Sequence, residues 1–127
     1  MIQIWRTGSR NLVRALVLAL LVPVAAARAS TFKVLYSFMN AGDGGNPCCS
    51  SLVLDSDGNL YGTSLLPLGA GAVFKLDPSD NETVLYYFPG GNGGAEPLAL
   101  VMDKKGNLWG TTIGGGIGGG VIFKINS

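Results

Sequence analysis

The sequence predicts an all-β protein of two four-stranded antiparallel repeat units, each resembling a β-propeller blade, behind an N-terminal signal helix. Three observations carry that expectation. The first 29 residues have the layout of an export leader, the rest is rich in glycine and poor in charge, and four sequence blocks occur twice in one order. A small β-sandwich satisfies the same pattern and is the alternative fold.

The leader comes first. Arg6, Arg10 and Arg14 form a basic start, and residues 15–27 form an uncharged apolar run of 13 residues with Pro23 near its end. Ala27-Arg28-Ala29 places small residues where a signal peptidase reads, so cleavage after Ala29 is expected. A spanning helix needs about 20 residues, which argues against the alternative of an uncleaved membrane anchor. Residues 30–127 then make the β-repeat domain, with repeat one at about 31–80 and repeat two at about 81–127.

Beyond the leader, five lysines stand against eight acidic residues, a net charge of −3. The slightly positive charge of the whole chain therefore belongs to the leader. No basic patch remains to neutralise phosphates, so nucleic acid is not an expected partner.

The repeat is read directly. Val34-Leu35-Tyr36-Ser37-Phe38 returns as Val84-Leu85-Tyr86-Tyr87-Phe88, and Asn46-Pro47 returns as Glu96-Pro97, both at an offset of 50. Asp57-Gly58-Asn59-Leu60-Tyr61-Gly62-Thr63 returns as Lys105-Gly106-Asn107-Leu108-Trp109-Gly110-Thr111 at 48. Gly71-Ala72-Val73-Phe74-Lys75-Leu76 returns as Gly120-Val121-Ile122-Phe123-Lys124-Ile125 at 49.

Apolar, β-branched and aromatic runs bounded by turn residues predict four strands per copy. They fall near 32–38, 51–55, 59–64 and 72–76, then near 83–88, 99–103, 107–112 and 121–125. The middle pair in each copy is a hairpin. Gly58 and Gly106 supply the positive φ of a tight loop, and Asp55 and Asp103 stand four residues before an Asn, where they can bind amides inside the turn. Pro47 and Pro97 are expected in the loops before these hairpins.

The blocks GNLYGT and GNLWGT, the Gly-rich stretch, the VFK or IFK strand and the Val-Leu-Tyr-x-Phe strand resemble the GloVer tandem repeat of exported bacterial proteins. That resemblance implies an extracellular or cell-surface protein, propeller-like, with no established biochemical activity. The chain departs from the pattern in holding two copies where such arrays are longer, and in the Cys48-Cys49 pair after the first Pro.

Candidate chemistry is sparse. The chain has no histidine, which removes the usual general base and the commonest transition-metal ligand. Asp55-x-Asp57-x-Asn59 alternates oxygen ligands, but Leu60 stands where a calcium loop needs Gly, and Lys105 replaces Asp57 in the second copy. Turn stabilisation is the better reading. Residues 114–120 are glycine-rich, yet they join two β segments and no Lys-Ser/Thr pair follows, so they read as an inter-strand loop. No catalytic, metal or cofactor residues are expected.

Two pairs remain as candidate site residues. Tyr61 and Trp109 hold equivalent places and have the amphipathic rings of a sugar-stacking platform, although repeated aromatics usually build the core of a repeat. Cys48 and Cys49 are neighbours, and a bond between them is strained because consecutive Cα atoms lie about 3.8 Å apart. A vicinal disulfide, a crosslink between chains, and a reduced or capped pair all remain open.

The expected function is that of an exported, non-enzymatic repeat protein, secreted, periplasmic or at the cell surface, acting as a structural or interaction module. The alternative is a carbohydrate-binding module using an aromatic face, with a polysaccharide as partner. Two copies also leave blade edges open, so self-association through those edges, or a marginal fold of residues 30–127, is expected.

Overall fold

Three turns of the form Asp-x-x-x-Asn organise the hairpins in the computed structural model, which describes residues 30–39, 42–48, 51–65 and 70–127. The predicted signal helix at 1–29 and Cys49 lie outside the described residues. In each turn the Asp amide donates to the Asn carbonyl at 3.0 Å, for Asp55–Asn59, Asp77–Asn81 and Asp103–Asn107. The residue before each Asn adopts positive φ: Gly58 at 87°, Asp80 at 64° and Gly106 at 82°. The middle turn, Asp77-Pro78-Ser79-Asp80-Asn81, thus repeats the geometry of the other two without their glycine. Asp80 also pairs with Lys33 at 2.6 Å, an exposed contact worth about 0–1 kcal/mol.

The strands are β1 (Val53–Leu54), β2 (Leu60–Ser64), β3 (Ala72–Leu76), β4 (Glu82–Tyr87), β5 (Ala95–Met102), β6 (Leu108–Gly114) and β7 (Ile122–Ile125). They form two antiparallel sheets, one in the order β1-β2-β3-β4 and the other β5-β6-β7. The fold is all-β, as the sequence predicts.

The distribution of strands between the sheets differs from the sequence repeat. β4 carries the Val-Leu-Tyr-x-Phe block of the second copy, yet it pairs with β3 of the first, with Val73 opposite Tyr86 and Phe74 opposite Val84. Sheet and sequence repeat are therefore out of phase by one strand. The matching block of the first copy, residues 34–38, forms no strand. It was expected as a strand at 32–38, but the place beside β3 that such a block takes is filled by β4, the block of the following copy.

The second sheet has three strands rather than the expected four for the same reason. Its β5 also begins earlier than expected and takes in Pro97, which is fully buried and pairs with Thr112. A proline is tolerated there because β5 is an edge strand and the register shifts between Pro97 and Leu100.

A close approach explains why each copy spells Gly after its aromatic. Gly62 lies opposite Phe74, and Gly110 lies opposite Phe123. A Cβ on Gly62 would stand 2.9 Å from Leu52 Cδ2, and one on Gly110 would stand 2.8 Å from Phe123 Cε1. Each phenylalanine ring lies over the hydrogen-only face of its partner glycine.

The core lies between the two sheets. Val73, Phe88, Leu100 and Leu108 are buried together, with Val53, Tyr61, Met102, Phe123 and Ile125 packed around them. Strand alternation puts Val53, Tyr61, Thr63 and Val73 on one face of the first sheet. That face meets the Leu100–Leu108–Phe123 face of the second. Thr63 Oγ1 donates to the Leu98 carbonyl at 2.8 Å, and the Glu96 amide donates to the Ala70 carbonyl at 2.6 Å, tying the sheets by polar contacts as well.

One group works against this fold. Glu82 Oε1 is buried without a hydrogen-bond partner among the described residues. Burial, and then the nearby Asp43 charge, push the Glu82 carboxyl above its ordinary value of 4.5. A raised carboxylate costs stability above its unfolded pKa, and the cost vanishes in acid. Glu82→Gln is therefore expected to raise the melting temperature at pH 7 and to lose that advantage as the pH is lowered below about 4, measured by thermal unfolding across the range.

Candidate functional site

An open-sided cleft of about 880 Å³ lies where the 55–59 turn of the first sheet approaches the 103–107 turn of the second. Asp55, Asp57 and Tyr61 contribute from the first copy, and Lys104, Lys105 and Leu108 from the second. Its chemistry depends on what the two turn carboxylates are free to do.

They are fully engaged. Asp55 Oδ1 accepts the amides of Asp57 and Asn59, each at 2.9 Å, and Oδ2 accepts Asn59 Nδ2 at 2.8 Å and the Tyr61 hydroxyl at 2.9 Å. Asp103 repeats the set with the amides of Lys105 and Asn107 at 2.9 and 3.0 Å, Asn107 Nδ2 at 2.8 Å and Trp109 Nε1 at 3.1 Å. The Asn59 side chain, followed by the Asn59 amide, Tyr61 and the Asp57 amide, holds the Asp55 carboxyl down at about 2. The Asn107 and then the Trp109 side chains hold Asp103 well below the usual carboxylate range. Groups so occupied stay charged at neutral pH and have no spare lone pair aimed into the cleft. Among the described residues no three carboxylate or thiol groups cluster as a metal site.

These bonds link the turns to pH. A carboxylate with a depressed folded pKa contributes stability above its unfolded value and loses it as the pH falls. For Asp55 the window runs from about 3.8 down to about 2. Acid unfolding is expected to steepen through that window. Asp103→Asn keeps an acceptor for the two backbone amides but sets an amide NH₂ against two donors, Asn107 Nδ2 and Trp109 Nε1. It is expected to lower the melting temperature at pH 7 and to flatten the acid limb, read by circular dichroism from pH 7 to pH 2.

Tyr61 and Trp109 share a role: the polar edge of each ring is tied to the Asp that opens its own hairpin. Their surroundings differ. Tyr61 packs against the core between the sheets. Trp109 lies on the opposite face of β6 from buried Leu108, is 40% exposed, and carries the Lys124 ammonium 5.1 Å from its ring centroid. The structure thus places the two rings on different surfaces, not on one platform. Cys48 is disulfide-bonded, and Cys49 lies outside the described residues. The shared role of Tyr61 and Trp109 was visible in advance as an aromatic six residues after Asp in both copies. The turn at 77–81 was missed because its glycine is absent, although its Asp-to-Asn spacing was there to find.

Two packed antiparallel sheets with corresponding turns, glycines and aromatics define an all-β tandem-repeat protein. Residues 23–127 match the family described as the Gloeobacter/Verrucomicrobia repeat, and the chain belongs to that family. No curated protein matches the chain.

Proposed function

We propose that the chain is an exported, non-enzymatic repeat module with a structural or interaction role at the cell envelope or outside the cell. The observation that carries this reading is the use made of the residues the two copies share. Asp55 and Asp103 close turns, Tyr61 and Trp109 brace them, and Gly62 and Gly110 seat phenylalanine rings. The recurrent residues serve the repeat itself. Export is supported by the basic, apolar and small-residue layout of residues 1–29.

Mass spectrometry of the protein recovered from a bacterial envelope or medium tests export. A mature N-terminus at Ser30 is the expected result, and intact Met1 in a membrane fraction would replace it with an anchored protein.

The exposure of Trp109 supports a second reading, a carbohydrate-binding module. Sub-millimolar binding to a defined sugar on a glycan array, lost in Trp109→Ala, would favour it.

A further inference from the structure

We infer that the free face and open edge of the second sheet are built to receive a second copy of this chain, whose residues 34–38 pair along β7 while its first sheet covers Trp109 and Ile122. This rests on the interaction-module reading and names the partner. Three observations converge on it.

The first is the missing strand. β4 completes the first sheet with the Val-Leu-Tyr-x-Phe block of the following repeat. The second sheet has no such strand among the described residues, so β7 pairs with β6 alone. Residues 34–38 carry the same block and belong to no sheet. The described residues therefore hold an acceptor edge without a strand and a block of strand sequence that belongs to no sheet.

The second is the pose of that spare block. Phe88, which follows β4, meets Phe123 with ring centroids 4.9 Å apart at 70°. Phe38 meets Phe74 at 5.0 Å and 68°. Tyr86 lies edge-on to Phe88 at 5.1 Å and 85°, and Tyr36 to Phe38 at 5.0 Å and 82°. Residues 36–38 thus sit on the first sheet as the end of β4 sits on the second. The block already has the posture of the last strand of a preceding sheet.

The third is the burial of equivalent residues. Val73 is 0% exposed at the contact between the sheets, whereas its counterpart Ile122 is 81% exposed on the free face. Val53 packs against the core, while Val101 is exposed. On the opposite side the reverse holds at one position, Leu100 at 6% exposed against its counterpart Leu52 at 56%, while Phe74 and Leu76 beside it are already buried. The free face of the second sheet repeats one half of the internal contact, and the Leu52 side of the first sheet carries the residues equivalent to the other half.

The register follows from β3 and β4. Val73 opposite Tyr86 becomes Ile122 opposite Tyr36 of the second copy, and Phe74 opposite Val84 becomes Phe123 opposite Val34. The contact joins different surfaces of the two copies, so it propagates head to tail and ends when the rotation closes. With the two sheets of the described residues in each copy, closure into a ring of propeller size takes about two to four copies.

The test is sedimentation velocity of the whole chain over a wide concentration range, with thermal unfolding in parallel. The expected result is reversible assembly, a melting temperature that rises with concentration, and dissociation by an excess of a peptide spanning residues 31–39. Ile122→Lys alters a side chain exposed in the single chain, so it is expected to leave far-UV circular dichroism unchanged and to abolish assembly. A chain that stays monomeric at every concentration would overturn the inference, as would assembly that persists in Ile122→Lys and ignores the peptide. Binding of a glycan by such a monomer would overturn it while leaving the interaction-module reading in place.

Discussion

Phe88→Ala is expected to cost about 3–5 kcal/mol, the largest loss from any single side chain considered. Phe88 is 5% exposed and lies within the cluster of Val73, Leu100 and Leu108. Its amide donates to the Gly71 carbonyl at 2.9 Å, continuing the pairing of β4 on the first sheet, while its ring meets Phe123 of the second. The residue therefore joins the two sheets at the point where the chain leaves one for the other. Truncation leaves a cavity whose walls belong to both sheets and cannot close independently. Phe38→Ala removes the equivalent ring at a half-buried position and is expected to cost less. Urea denaturation at one fixed protein concentration compares the two variants. Equal losses would contradict the assignment of Phe88 to the internal contact.

Gly110→Ala is expected to cost about 1–3 kcal/mol through overpacking. The added methyl would meet the Ala99 carbonyl oxygen at 2.7 Å as well as the Phe123 ring. A flexible side chain can rotate away, but a backbone carbonyl inside a paired strand cannot. Both β5 and β7 would have to move relative to β6. For Gly62→Ala the three nearest atoms all belong to the side chains of Phe74 and Leu52, so its expected loss is smaller. The two variants, measured together by urea denaturation, separate a backbone clash from a side-chain clash. A neutral Gly110→Ala would show that the glycine serves something other than the seat of the Phe123 ring.

The parts of the fold legible in the sequence are those set by short-range chemistry. Asp55 and Asp103 could be read as turn-closing residues because four residues is the span over which a carboxylate reaches the amides of its own loop. Strands β2, β3, β6 and β7 fall within two residues of their expected ends, because each apolar or β-branched run there follows a glycine or asparagine of a turn. What could not be read was ownership. Residues 34–38 and β4 carry nearly the same letters, so no local pattern says that one pairs and the other does not; that depends on a sheet edge remote in sequence. Pro97 misled for a related reason. Its missing N–H argues for a loop unless the strand is known to lie at an edge with a shifted register. Of the candidate site residues, the sequence could give the equivalence of Tyr61 and Trp109. It could not say that only one of them faces a neighbouring sheet.

The central claim is that the block at residues 84–88, which opens the second sequence repeat, completes the sheet of the first. Nuclear Overhauser contacts across β3 and β4 test it most directly. Contacts between Phe74 and Val84 and between Val73 and Tyr86 are the predicted result, with no backbone-to-backbone contacts from β4 to a strand of the second sheet. Contacts placing Val84 and Tyr86 beside β5 instead would contradict it.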